Sequence, residues 1–286
     1  MSIILALLAA LFAAMTSILA KLGIERINSN VATAVRTIVV VVMAFAIAVF
    51  TGQLSGMAVI SGKAYLFLIL SGLTTGLSWL CYFKAIKIGD VSKVVPIDKS
   101  SVVMTILLSF VILGEKATPL VITGCAVITI GTFILIGKVK KEKIKQPSQS
   151  YLFLAILSAV FAALTSILAK IGIEEVDSNL ATFIRTVVIL IFAWGIVFAQ
   201  GNQKEIRRIN KKEYVFLTLS GVATGLSWLC YFGAISIGNV SVVAPIDKFS
   251  VVITMVLSLV LLKEKPAKHT ILGGVLITLG TILLIL

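Results

Sequence analysis

The stretch Ser71–Val103, SGLTTGLSWLCYFKAIKIGDVSKVVPIDKSSVV, decides how this chain folds. It returns at Ser220–Val252 as SGVATGLSWLCYFGAISIGNVSVVAPIDKFSVV, altered at eight positions. Each copy holds a hydrophobic run rich in Gly, Ser and Thr, a short break containing Gly, and a second run opening with Pro-Ile-Asp-Lys. An acid and a base thus stand inside sequence that otherwise reads as membrane.

The duplication extends outward over the whole chain at a constant offset of 149. Ser17–Lys21 matches Ser166–Lys170, Arg36 matches Arg185, and Glu115-Lys116 matches Glu264-Lys265, with no insertion needed. The one long polar stretch near the middle, KVKKEKIKQPSQS, separates the copies. Residues 1–137 therefore read as a first repeat, 138–150 as a basic linker and 151–286 as a second repeat.

Composition excludes an ordinary soluble domain. Apolar residues make up 59% and charged residues 13%, with a mean hydropathy of +1.13, so polar side chains are too few to coat a globule. A spanning helix needs about 20 mostly apolar residues. On that basis ten spans are expected, at 3–22, 31–51, 65–87, 91–113, 119–137, 152–171, 180–200, 214–236, 240–262 and 269–286. The first run lacks a basic leader and has a counterpart in mid-chain, so it reads as a retained helix rather than a signal peptide. Five spans per copy is the informative number. An odd count makes the second copy enter from the opposite side, which yields two inverted halves about a pseudo-two-fold axis in the membrane plane. The fold class is an all-α membrane protein of ten transmembrane helices in two inverted five-helix repeats.

The net charge of +13 gathers between hydrophobic runs, which points to topology signals and anionic lipid rather than to nucleic acid. Arg26, Lys84, Lys87 and Lys93 follow spans 1 and 3, whereas their counterparts Glu175, Gly233, Ser236 and Val242 are not basic. The loop after span 7 carries Lys204, Arg207, Arg208, Lys211 and Lys212, against Lys63 alone after span 2. These loops and the linker share one face, which the positive-inside rule makes cytoplasmic, with both termini outside. Cys81, Cys125 and Cys230 lie in apolar runs without metal-ligand spacing and read as packing residues.

Helical spacing sorts the polar residues into stripes. Ser71, Thr75, Ser78 and Tyr82 share a face of span 3, flanked by Trp79; Ser220, Thr224, Ser227, Tyr231 and Trp228 repeat it in span 8. Asp98, Ser101, Thr105 and Ser109 line span 4, copied as Asp247, Ser250, Thr254 and Ser258. Hydroxyl stripes serve equally to pack membrane helices closely or to line a cavity. The carboxylates tilt the balance, because an ionised Asp well inside a span is costly unless paired or wetted. Asp98 and Lys99 are neighbours pointing about 100° apart on a helix, so they pair poorly with each other. Their partners are then Arg36, Arg185, Lys21, Lys170, water or a substrate. One reading is a structural ion-pair network. The other is a polar cavity with Asp98 and Asp247 as protonatable groups and Lys99, Lys248, Arg36 and Arg185 as counter-ions or substrate contacts. Glu115 and Glu264 read as interfacial charges, and Gly124, Gly131, Gly273 and Gly280 as close-packing positions. They would serve neighbouring helices or a homodimer through spans 5 and 10. No nucleophile–base pair, metal constellation or cofactor motif is present, which disfavours an enzyme.

Five-span halves, a Pro-containing fourth span ending in Leu-Gly-Glu-Lys (113–116) or Leu-Lys-Glu-Lys (262–265), and a Gly-rich span after it resemble the drug/metabolite transporter superfamily, in its ten-span EamA-type branch. The resemblance covers essentially the whole chain. It implies inverted repeats, a central cavity lined by spans 1–4 and 6–9, alternating access, and peripheral spans 5 and 10. The small multidrug-resistance relatives carry a membrane-embedded Glu in the first span, where this chain has Thr16-Ser17 and Thr165-Ser166. Ten-span relatives usually keep both termini inside, opposite to the charge bias here. The expected function is a secondary active transporter, an exporter or a proton-coupled carrier, of a small metabolite such as an amino acid, working by alternating access in a prokaryotic inner membrane. A flippase for a lipid-linked sugar or phospholipid is the alternative.

Overall fold

A computed structural model describes residues 1–23, 28–88, 94, 97–98, 100–136, 150–261 and 267–286. The first half supplies α1 (Ser2–Gly23), α2 (Ser29–Phe50), α3 (Gly62–Ile88), α4 (Ser101–Ile112) and α5 (Pro119–Ile136). The second supplies α6 (Ser150–Ile173), α7 (Ser178–Ala199), α8 (Lys211–Ile237), α9 (Val240–Asp247), α10 (Phe249–Leu261) and α11 (Lys268–Ile285). Among the described residues, eight segments are long and apolar enough to cross a membrane, counting Val240–Leu261 as one, and Ser101–Ile112 and Pro119–Ile134 are shorter apolar helices. Large apolar side chains point outward: Val111 is 82% exposed, Ile191 69% and Val260 65%. The buried set is instead rich in Ala, Ser, Thr and Gly, the pattern of a bundle solvated by lipid.

Local signals recur at the same offset. Asn28 caps α2 by accepting from the backbone N–H of Asn30, and Asp177 caps α7 by accepting from that of Asn179. Gly52 and Gly201 both take φ of 70° just beyond these helices, the left-handed stop that glycine adopts without a Cβ clash. Each is followed by a 3₁₀ helix, η1 (Gln53–Val59) and η2 (Asn202–Arg208). Both lie in stretches expected only as loops. Ser61 and Asn210 then cap α3 and α8 through the N–H groups of Ala64 and Glu213.

The halves interlock rather than sit side by side. α1 packs chiefly on α8, α3 on α6, and α5 on α11, with α2 facing α7. Serine hydroxyls fix the first two pairs. Ser71 and Ser78 donate to the carbonyls of Thr165 and Ser158, and Ser220 and Ser227 donate to those of Thr16 and Ala9. The later residue on one helix meets the earlier on the other, so both pairs run antiparallel, as inversion requires. α5 and α11 meet along their glycines. A Cβ on Gly131 would lie 2.8 Å from the Gly273 carbonyl oxygen, and one on Gly280 2.8 Å from that of Gly124. Those glycine faces are occupied within the chain. A homodimer through spans 5 and 10 is therefore left only their opposite, exposed faces.

The Pro-Ile-Asp-Lys segment departs from the continuous ninth span expected at 240–262. The helix stops at Asp247, turns at Lys248 and restarts at Phe249. Pro245 lacks the N–H that would bond one turn back, which loosens the ladder there. Pro96 and Lys99, their first-half counterparts, lie outside the described residues, as do Glu264-Lys265 and most of the linker.

Candidate transport site

The chain has two ends. At one meet η1, the α4–α5 turn, the α6–α7 turn and the start of α9; the other carries the lysine-rich segments around η2. Ser166, Ala169, Thr182 and Arg185, in the half of the bundle toward the first end, are all buried, Arg185 at 1% exposure. Their counterparts Ser17, Ala20, Thr33 and Arg36 lie toward the second end and are exposed or half-buried. α4 runs to the first end and buries Val102, Thr105, Ile106 and Ser109. α10 runs to the second end, and none of its residues is buried. One end is thus sealed by a large apolar cluster that includes Leu68, Ile106, Ile167, Leu180, Ile235 and Val243. Among the described residues, the lysine-rich end is held by two small clusters.

Polar clamps reinforce the seal. Both carboxylate oxygens of Glu115 accept from α9, Oε1 from the N–H of Val240 at 2.6 Å and Oε2 from that of Ser241 at 2.8 Å. A carboxylate there meets the positive end of the helix dipole and two otherwise orphaned donors. Lys170 Nζ does the reverse at the C-terminus of α8, donating to the carbonyls of Ile235 at 2.6 Å, Gly238 at 3.1 Å and Ser236 at 3.3 Å. Ser61 donates to Glu175 at the same end. Sequence reasoning read Glu115 as an interfacial charge and offered Lys170 as one of several partners for the aspartates, with Arg36, Arg185, Lys21, water or a substrate. Only the fold brings their true partners close, although the Glu-Lys repeat at both half-ends was a visible signal for Glu115.

The expected cavity residues divide into two groups. Ser78 and Ser227 are buried with their hydroxyls on carbonyls of the facing helix, so they clamp helices rather than line an open space. Thr75, Thr105 and Thr254 donate to carbonyls of their own helices, those of Ser71, Ser101 and Ser250, and Thr105 is buried. Ser101 and Ser250 are half-buried. Trp228 and Tyr231 pack on the large cluster. Trp79 instead borders a crevice of about 10 Å³ with Asn30 and Thr33, and Tyr82 packs on the small cluster around Val94.

The charged residues form two related constellations. Asp98 accepts from Ser158 Oγ at 2.7 Å and lies within electrostatic reach of Tyr82. Asp247 lies within reach of Tyr231, which also feels Arg185 and bonds Ser166 Oγ at 2.8 Å. Lys248 Nζ stands 3.9 Å from Asp247 Oδ2, at the limit of an ion pair, as neighbours on a turn allow. Arg36 donates from Nη2 to Thr224 Oγ1 at 2.7 Å, and Arg185 from Nε to Ser71 Oγ at 2.9 Å. Arg185 also stacks 3.7 Å over the Phe232 ring. The structural-network reading had these arginines pairing with the aspartates, and they do not. Each arginine reaches across to a hydroxyl of the other half. A surface pocket of about 260 Å³ lies apart from this chemistry, between η1 and the α6–α7 turn.

Two inverted copies thus meet along a polar seam, with one end buried under the large apolar cluster. Residues 1–137 and 149–286 each match the EamA-like transporter family. The chain belongs to that family. An uncharacterized transporter of Sinorhizobium sp., encoded in the cobO 3' region, is 46% identical over 137 residues, 48% of this chain and 97% of that protein. It therefore has about the length of one repeat of this EamA-like chain. An uncharacterized transporter of Archaeoglobus fulgidus is 23% identical over 100% of this chain and 98% of its own. The uncharacterized transporter YxxF of Bacillus subtilis is 24% identical over 71% of this chain and 64% of its own. A crystal structure superposes with a TM-score of 0.76 at 17% identity, covering 99% of this chain and 96% of that one. That likeness speaks for the shared fold.

Proposed function

We propose that this EamA-like protein is a secondary active transporter of a small metabolite such as an amino acid, working by alternating access between its halves in a prokaryotic inner membrane. The observation that carries the reading is the unequal packing of equal sequence. Ser166, Thr182 and Arg185 are buried where Ser17, Thr33 and Arg36 are not, although each pair is the same residue type. A chain able to hold one repeat sealed and its copy loose can exchange the two packings, and that exchange moves access from one face to the other. On this proposal the lysine-rich end is cytoplasmic and the looser packing there faces inward. Asp98 in span 4 and Asp247 beside the break of span 9 exchange a proton as access alternates, and the tyrosines and tryptophans face the apolar part of the cargo.

Cysteine accessibility tests this. Cys81, Cys125 and Cys230 are replaced, and Ser17→Cys or Ser166→Cys is introduced for labelling with a membrane-impermeant thiol reagent in proteoliposomes of sorted orientation. Ser17→Cys should react from the lysine-rich side and Ser166→Cys from the other, each slowed when the opposite state is trapped. A Ser166→Cys that never reacts from either side would leave a static bundle and end the proposal.

A further inference from the structure

Arg36 and Arg185 are charges without counter-charges. Among the described residues neither guanidinium contacts a carboxylate, and Nε of Arg36 and Nη1 of Arg185 are buried with no hydrogen-bond partner at all. The acceptors they do have are neutral. Thr224 gives its own proton to the Ser220 carbonyl and Ser71 gives its own to Thr165, so each offers the arginine a lone pair only. A guanidinium does not shed its charge on burial, and a neutral acceptor does not repay its desolvation. A glutamine at either site would satisfy the same hydroxyl. What the arginine adds is a free N–H and a positive charge, and both call for an oxyanion.

The placement gives that oxyanion a route. Arg36 stands about two turns into α2 from the lysine-rich end, and Arg185 about two turns into α7 from the sealed end. α2 and α7 run antiparallel, with the Phe45 and Phe183 rings 5.4 Å apart and tilted by 48°, so the two arginines differ in depth by about 10 Å. We propose that Arg36 and Arg185 are successive stations for one oxyanion group, carboxylate or phosphate, of the transported molecule. The inference rests on the alternating-access reading. In this state Arg36 is half-buried at the open end and receives the anion; Arg185, enclosed under Phe232, receives it when the other end opens. Arginine suits the task because its planar fork meets both oxygens of a carboxylate or phosphate.

The test is thermal unfolding of the purified chain in phosphatidylcholine nanodiscs with inorganic phosphate, glutarate, glycerol or putrescine. Each is added at about 10 mM, and a second set of discs contains phosphatidylglycerol. Phosphate or glutarate should raise Tm by about 5 °C, while glycerol and putrescine leave it unchanged. Arg36→Gln should weaken the anion response at least ~10-fold with its unliganded Tm equal or higher, and Arg36→Lys should keep part of the response. A rise confined to phosphatidylglycerol discs and lost in Arg36→Gln identifies the oxyanion as a lipid headgroup. No charge-selective rise in either set, or an unliganded Tm of Arg36→Gln well below that of the parent, overturns the proposal. Labelling of Ser17→Cys and Ser166→Cys does not depend on ligand charge, so failure here is distinguishable from failure of alternating access.

Discussion

The sealed and loose ends of this protein are built from nearly the same residues. Ser166 and Ser17, Thr182 and Thr33, and Arg185 and Arg36 are identical pairs, yet the first of each is buried and the second is not. Side-chain chemistry at the walls cannot explain the difference. Among the described residues, α4 packs on α9 and α6 at the sealed end, while α10 packs chiefly on α1. Two packings of one repeat sequence must lie within a few kcal/mol of each other for both to be visited. The comparison therefore separates two kinds of residue: those that hold either packing, and those that select one.

Glycines at the α5–α11 crossing belong to the first kind, and substituting them should have the largest effect. Gly131→Leu and Gly280→Leu drive a side chain into backbone at 2.8 Å, where nothing flexible can yield. Each should destabilise the fold by more than about 3 kcal/mol. The two losses should match, because the sites are dyad mates. Gly195→Leu, with nothing within 4 Å, is the control and should change little. Unequal losses at Gly131 and Gly280, read as folded yield and Tm, would show that the crossing is not shared evenly by the halves.

Glu115 belongs to the second kind. Two charge-assisted bonds onto the start of α9 stabilise the seal by an estimated ~1.5–3 kcal/mol, and Glu115→Gln keeps the size but removes the charge. The expected result is opening of the sealed end, seen as roughly tenfold faster labelling of Ser166→Cys or more, since 1.4 kcal/mol is a factor of ten. Overall stability should fall by less than the seal gains, because the loose packing is also folded. If Glu115→Gln lowers Tm while labelling of Ser166→Cys stays slow, the clamp is structural and selects nothing.

This division also marks what could be read from the chain alone. The inverted repeats, the ends of most helices and the stripes on α3 and α8 were legible because hydropathy and the 149-residue offset are local or self-referential signals. The break at Lys248 was half-visible in Pro245. The state of the machine was not. Both copies carry the same Arg-Thr and Ser-Ile-Leu-Ala-Lys segments, so no periodicity could say that Arg185 is enclosed and Arg36 accessible. Ser78 and Ser227 were assigned to a cavity because a face polar by spacing looks the same whether it meets water or a neighbouring carbonyl. Lys170 was matched to a carboxylate by charge, whereas three convergent carbonyls at a helix end serve a cation equally well.

The smallest effect probes a place where the surroundings of the two carboxylates differ by sequence. Ser158 donates to Asp98, but the residue at the matching position beside the second copy is Ala9. Ser158 also faces Ser78 in a reciprocal clamp, each hydroxyl placed to donate to the other's carbonyl. Its single proton therefore serves either Asp98 or Ser78, and Ser158→Ala should cost about 1 kcal/mol in thermal stability. A double-mutant cycle with Asp98→Asn should return most of that as coupling. Ala9 is buried under the hydroxyl of Ser227, so Ala9→Ser introduces a donor where inversion places Asp247. Its own effect should fall within about 0.5 kcal/mol, and coupling to Asp247→Asn should appear where the parent protein has none from Ala9. If Ala9→Ser makes proton-driven uptake respond equally to Asp98→Asn and Asp247→Asn, one hydroxyl sets the inequality of the two carboxylates. If Asp98→Asn and Asp247→Asn remain unequal in Ala9→Ser, the inequality comes from Tyr231 and Ser166 on the sealed side, and it should then reverse when the seal is weakened by Glu115→Gln.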